Sequence, residues 1–231
     1  MKTSNKLLLS ATVILFGYLA IFNFQLRAEY IKGDFRKPYY GMKFTPLNSF
    51  TTIQHNAGNV LALRVEKGPK FGVWMRDNLK EKVALTERNN TLFVDYVDKQ
   101  HFNYYQSGIV VVCPEVNTVI TTPLTTHQVM PWERAVTGIS GFKQDAMNIV
   151  AGKSTQVELD DNTIGKLNAA TTASEATITV DTHNLIQAAD FKIAGKSDLR
   201  LLSQITTGTY NYTDSATITL NGKSFAKVNQ H

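Results

Sequence analysis

Polar and apolar residues alternate in four short tetrads in the second half of the chain. The tetrads are Gln156–Leu159, Thr177–Val180, Asp198–Leu201 and Thr217–Leu220. The steps between their first apolar residues are 21, 21 and 19 residues. Alternation with period two predicts β-strands, and a nearly constant step predicts strands stacked as rungs of a β-solenoid. A plain antiparallel sandwich also uses short alternating strands and is the alternative.

The alternation also predicts which side chains face the core. The apolar pairs Val157/Leu159, Ile178/Val180, Leu199/Leu201 and Ile218/Leu220 would form inward columns. Their polar partners, Gln156/Glu158, Thr177/Thr179, Asp198/Arg200 and Thr217/Thr219, would form an outward ladder. A single rung cannot bury its apolar face alone, so several must stack.

The N-terminus carries an uncharged apolar stretch, Leu7 to Phe24, with Lys2 and Lys6 before it. A helix of this length can cross a hydrocarbon core of about 30 Å. A cleaved signal peptide is the alternative, but bulky Leu26 two residues before Ala28 makes a poor cleavage site. We therefore expect an uncleaved signal anchor with the amino terminus inside and the bulk of the chain outside the cytoplasm.

The pattern divides the chain into five predicted segments. They are the anchor (1–27), a juxtamembrane linker (28–48), a strand-rich first part of the β domain (49–145), the solenoid repeats (146–225) and a C-terminal tail (226–231). Within the strand-rich part, the apolar run Ile109–Cys113 predicts a strand that is covered on both faces.

Charge and cysteine content exclude several classes of function. The net charge is +5, but Lys2, Lys6 and Arg27 precede the first acidic residue, so the remainder is nearly balanced. The sequence contains no stripe of basic residues with interleaved aromatic residues, so nucleic-acid binding is not predicted. Cys113 is the single cysteine, which excludes an internal disulfide and a cysteine-based zinc site. We expect Cys113 to be buried and to act as a small apolar residue.

Three short motifs have a chemical and a structural interpretation. Gly-Lys-Ser recurs at 152–154, 195–197 and 222–224, but a phosphate loop needs a Gly five positions earlier, so we expect repeat turns. The five histidines show no metal-binding spacing and are expected on loops or the surface. Asp160-Asp161 beside Asn162 predicts a turn with side chain to backbone bonds, with a calcium site as the alternative.

The order of these segments resembles a known family. The linker AEYIKGDFRKPYYG follows the anchor, and apolar-small-Gly turns recur at 139–141, 150–152 and 193–195. In these features the chain is similar to the bacterial auto-transporter adhesin, head GIN domain family, in particular its membrane-anchored members in Bacteroidetes. The resemblance implies a right-handed parallel β-helix outside the cytoplasm and suggests adhesion. It supplies no catalytic or binding residues.

The sequence predicts an all-β binding or structural module of the bacterial cell envelope, not an enzyme and without a cofactor. We expect a single-pass inner-membrane anchor and a periplasmic β domain that contacts an envelope protein or a glycan. The candidate surface comprises Thr177, Thr179, Asp198, Arg200, Thr217, Thr219, Tyr39, Tyr40, Tyr104 and Tyr105. For the four tyrosines the alternative is that they pack against or cap the open end of the solenoid.

Two alternatives and one further expectation complete the sequence predictions. A carbohydrate-active β-helix enzyme would need converging carboxylates, for which the repeats offer Glu158, Glu175, Asp181 and Asp198. An accessory subunit of an envelope complex is the other alternative. Trp74 and Trp132 are expected in the core.

Overall fold

The computed structural model describes residues 3–97, 107–125, 129–213 and 215–221, except the side chains of Phe35 and Ser107. It divides into two compact units, Met1–Gly41 and Met42–His231. The first contains helix α1 (Thr3–Lys32) and a 3-10 turn at Asp34–Arg36. Helix α1 buries none of its side chains and is long and apolar enough to cross a membrane. A signal sequence near the N-terminus meets the same criterion.

The second unit is built mainly of strands. Their bounds are β1 (Lys43–Pro46), β2 (Thr52–His55), β3 (Ala62–Lys67), β4 (Gly72–Met75), β5 (Val83–Arg88), β6 (Thr91–Tyr96), β7 (Ser107–Cys113), β8 (Thr118–Thr121), β9 (Val136–Ser140), β10 (Lys143–Ala151), β11 (Gln156–Asp160), β12 (Thr163–Thr171), β13 (Thr177–Val180), β14 (Leu185–Ile193), β15 (Asp198–Leu201), β16 (Ile205–Tyr212) and β17 (Thr217–Leu220). Two 3-10 turns, Asp77–Leu79 and Pro131–Glu133, complete the described elements.

The described strands form two large mixed sheets. Sheet A has the order β1-β4-β7-β3-β9-β11-β13-β15-β17, and sheet B has the order β16-β14-β12-β10-β8-β2-β6-β5. From β8 to β17 the chain changes sheet after every strand, and every pairing among these strands is parallel. Antiparallel pairs occur at the other end, between β1 and β4, β4 and β7, and β5 and β6.

The four tetrads form β11, β13, β15 and β17, as predicted. They pair in parallel and in register, with Val157 opposite Ile178, Ile178 opposite Leu199 and Leu199 opposite Ile218. The first three of these residues are buried, whereas Ile218 is partly buried because β17 lies at the edge of the described sheet. The antiparallel sandwich is therefore wrong for this part of the chain.

The parallel pairing extends beyond the tetrads toward the N-terminus. Strand β9 joins β11 to β3, and β3 pairs in parallel with β7. In sheet B, β10 pairs with β8 and β8 with β2. Apolar side chains of both sheets form one core cluster, which includes Phe50, Phe142 and Phe191. The stack therefore also includes strands for which the sequence shows no constant step.

Strand β7 is buried on both faces, as its continuous apolar run predicted. Ile109 to Cys113 are all buried. Burial, with a smaller contribution from Glu115, raises the pKa of the Cys113 thiol to about 12. A thiol that remains protonated is a poor nucleophile, which agrees with a structural role.

Asparagine side chains stabilise one corner of the stack. Asn162, which is buried, accepts a hydrogen bond from the Phe142 N–H (3.0 Å) and donates to the Ile139 carbonyl (2.9 Å). It also donates to Asn184 Oδ1 (3.0 Å), and Asn184 donates to the Leu159 carbonyl (2.7 Å). These bonds satisfy buried backbone groups between successive rungs. The predicted turn at Asp160-Asp161 thus carries a ladder between rungs as well as local bonds.

At the opposite corner of the stack, backbone segments of successive rungs lie close to each other. A Cβ on Gly152 would lie 2.7 Å from the Thr121 carbonyl oxygen, and Gly195 has a positive φ of 62°. These glycines belong to the first two Gly-Lys-Ser motifs, which form turns as predicted. The third, at 222–224, lies outside the described residues.

Candidate functional site

The outward ladder predicted from the tetrads forms two rows on sheet A. One row is Gln156, Thr177, Asp198 and Thr217, and the other is Glu158, Thr179, Arg200 and Thr219. Parallel in-register pairing places neighbouring members of a row about 4.8 Å apart. All eight side chains are at least partly accessible, whereas the inward residues of β11, β13 and β15 are buried.

A groove of about 230 Å³ runs over this face. Its lining comprises Val136, Gln156, Val157, Glu158, Thr177, Thr179, Asp181, Arg200 and Leu202. Of the predicted surface residues, Thr177, Thr179 and Arg200 line it. Asp198, Thr217 and Thr219 occupy the same two rows without lining the groove.

The groove contains positive and negative charges, and both hydrogen-bond donors and acceptors. Glu158 and Asp181 contribute carboxylates, Arg200 a guanidinium, and the threonines hydroxyls. On the neighbouring strand, Gly138 pairs with Glu158 and has no atom within 4 Å of the place where a Cβ would stand. The surface is therefore open beside Glu158.

A 3-10 turn, Pro131–Glu133, lies against this ladder. The Gln156 Nε2 donates to the Pro131 carbonyl at 3.3 Å. On the other side of the turn, the Arg134 guanidinium donates to the Glu175 carbonyl (2.7 Å) and to its Oε2 (3.0 Å). The Arg134 side chain is only 7% exposed. The turn is thus bonded to the stack on both sides.

Trp132 in this turn is not a core residue. Its exposed fraction is 79%, and that of neighbouring Met130 is 56%. The prediction of a buried Trp132 is wrong, since the 3-10 turn Pro131–Glu133 contains no buried residue. The core prediction is also wrong for Trp74, which is partly buried outside the core cluster and lies against Phe44, with ring centroids 5.1 Å apart.

A second cleft, of about 530 Å³, borders the same turn. It is lined by Asn59, Pro123, Leu124, Thr125, Val129, Met130, Lys153, Ser154 and Glu175. The Ser154 hydroxyl donates to Glu175 Oε2 at 2.8 Å and, with the positive charges of Arg134 and Lys153, lowers the pKa of that carboxyl. Glu175 is therefore an anion at neutral pH.

All four predicted tyrosines lie outside the described part of the β unit. Tyr39 and Tyr40 belong to the Met1–Gly41 unit, where Tyr39 has a positive φ of 63° and Tyr40 is exposed. Tyr104 and Tyr105 lie outside the described residues. A role for these four residues stays a prediction.

Of the two described histidines, one departs from the expectation of surface or loop positions; His101, His127 and His231 lie outside the described residues. His183 is exposed and lies 2.9 Å from Asp160 Oδ1. His55 is fully buried in β2, so the expectation is wrong there. Within the described ranges, no three or more His, Cys, Asp or Glu side chains are grouped so that they could hold a metal ion.

Comparison with known proteins gives a shared fold. No protein-family model and no curated protein sequence matches the chain. The crystal structure of a "putative adhesin" from Parabacteroides distasonis ATCC 8503 matches with a TM-score of 0.59 and 16% identity, covering 77% of this chain and 71% of that one. The chain therefore has the fold of a Bacteroidetes protein described as an adhesin.

Two further solved structures are more distant. A "putative adhesin" from Bacteroides fragilis NCTC 9343 has a TM-score of 0.43 and 13% identity, covering 78% of this chain and 96% of that one. A "putative lipid binding protein" from Parabacteroides distasonis ATCC 8503 has a TM-score of 0.41 and 12% identity, covering 78% and 94%.

Proposed function

We propose that this chain is a membrane-anchored, adhesin-like binding module of the bacterial cell envelope. The observation that carries the proposal is the groove on sheet A, which is lined by ladder residues of successive rungs. Such a surface recognises a partner through repeated, similarly spaced hydrogen bonds.

The finer architecture belongs to the same proposal. The alternation of the chain between two sheets and the steps of 21, 21 and 19 residues support a right-handed parallel β-helix. The fold shared with an adhesin from Parabacteroides distasonis supports membership of the head GIN domain family. In this proposal α1 is an uncleaved inner-membrane anchor and the β unit is periplasmic.

A carbohydrate-active enzyme is the second candidate, because one observation favours it. Glu158 and Asp181, two of the carboxylates singled out in the sequence, both line the groove. A glycosidase uses two carboxyl groups on opposite sides of the scissile bond. Incubating the chain with a bound oligosaccharide separates the candidates: a binding module produces no new reducing ends. If new reducing ends are released, and Glu158→Gln or Asp181→Asn abolishes that release, the chain is an enzyme.

The binding proposal is tested with the full chain in lipid nanodiscs. Binding to immobilised envelope polysaccharide and to an envelope protein extract is compared for wild type, Thr179→Lys and Thr209→Lys. Thr179 lines the groove, whereas Thr209 is exposed in sheet B, so only Thr179→Lys should weaken binding, by about tenfold or more. Binding of wild type to neither fraction, or equal loss in both variants, overturns the proposal.

A further inference from the structure

We propose that the ligand of the sheet A groove is a neutral oligosaccharide, and that the Trp132 indole is its stacking platform. This inference rests on the proposed binding function and names the chemistry of its ligand. It adds a residue that the ladder pattern does not contain.

The first argument is that the turn carrying the indole is attached to the stack and that the ring itself is uncovered. Pro131 is bonded to Gln156, a residue of the groove, and Arg134 is bonded twice to Glu175. Between these attachments the ring is 79% exposed. Leaving a tryptophan exposed forgoes the free energy that burial of its ring would contribute to folding. An attached turn favours ligand binding by such a ring, because little conformational freedom is lost when the ligand binds.

The second argument is the set of groups in the groove beside this turn. The Gln156 amide, the Glu158 and Asp181 carboxylates, the threonine hydroxyls and the Arg200 guanidinium together donate and accept hydrogen bonds. A sugar hydroxyl does both, and the C–H face of a pyranose stacks on an aromatic ring. The strand spacing of about 4.8 Å is close to the advance of one pyranose along an extended glycan.

The third argument compares the sugar with two other classes of partner. Two carboxylates and one guanidinium line the groove, which disfavours an anionic polymer. A stable protein interface buries roughly 800 Å² per partner around an apolar centre. The outward residues of β11, β13, β15 and β17 are all polar, so the ladder itself has no such centre.

The test uses the fluorescence of a single indole. The chain has two tryptophans, so Trp74→Phe leaves Trp132 as the sole reporter. The full chain in nanodiscs is first applied to an array of neutral oligosaccharides, and each sugar that binds is then titrated. We expect a shift of the Trp132 emission on binding. In the wild-type background, Trp132→Ala should raise the Kd by about tenfold or more, and Trp132→Tyr should retain most of the affinity.

The matched control is Tyr212→Ala, which removes another exposed aromatic ring at the end of β16 in sheet B. Its Kd should equal that of wild type. The inference is overturned if no neutral oligosaccharide binds, or if Trp132→Ala leaves the Kd unchanged. Binding of an envelope protein without sugar binding also overturns it and leaves the proposed binding function standing.

Discussion

At the scale of single residues, His55 couples the stability of the β unit to pH. The side chain is fully buried, and its Nδ1 lies 3.0 Å from the Thr137 hydroxyl. Desolvation lowers the pKa of His55 from 6.5 to about 3. Between these values the unfolded chain binds a proton that the folded chain does not. The free energy of unfolding is therefore unaffected by His55 titration above pH 6.5, and it decreases as the pH falls from 6.5 toward 3.

We predict that the free energy of unfolding falls by about 1.4 kcal/mol per pH unit below pH 6 through this residue. Chemical denaturation at pH 7, 6 and 5 measures the slope, which His55→Gln should reduce by that amount. His183→Gln is the control, because the bond from exposed His183 to Asp160 shifts the pKa of His183 in the opposite direction. An NMR titration showing a charged His55 ring in the folded protein at pH 5 would contradict the prediction.

The sequence predicts inward residues in strands far better than residues in turns. Val157 and Ile178 were assigned correctly because alternation fixes which side chains share a face. The same rule could have found His55, which has the parity of buried Ile53 in β2. No such rule applies to Trp132, because its turn is attached to the stack through Gln156 and Glu175, which lie in distant parts of the sequence.

At the scale of elements, the position of a strand in the stack determines what its apolar residues contribute. Ile178 in β13 has paired strands on both sides, whereas Ile218 in β17 has a described neighbour only in β15. We predict that Ile178→Ala lowers the free energy of unfolding by about 3 kcal/mol and Ile218→Ala by about 1 kcal/mol. Amide hydrogen exchange should be fastest in β17 and slowest in β11 and β13. Equal costs and equal protection would contradict this gradient.

The strands of sheet B show why part of the fold could not be predicted. Strands β10, β12 and β14 have nine residues each, but their inward positions include small residues such as Ala151, Ala169 and Ala189. Their alternation is consequently weaker than that of the tetrads. The pairing of β3 with β9 joins residues about seventy positions apart, and β4 to β8 intervene, so no constant step indicates it.

At the scale of the whole molecule, the location of the chain depends on α1. We predict that the full chain remains in the membrane fraction after alkaline carbonate washing and that its N-terminal sequence precedes residue 28. Ile14→Arg with Leu15→Arg should release it, since each arginine at the centre of a spanning helix costs about 3 kcal/mol. Thr51→Arg, in the β unit, is the control and should not. A mature protein that begins after residue 28 would contradict the anchor.

The regular step of the tetrads also bears on how such a molecule can change its length. Because β11, β13 and β15 pair in register, a duplication of one 21-residue step would supply a copy whose apolar columns meet those of its neighbours. Recombination within the gene can therefore lengthen or shorten the stack of paired strands one 21-residue step at a time while preserving its core. The groove would grow with it by one pair of outward side chains for each added copy.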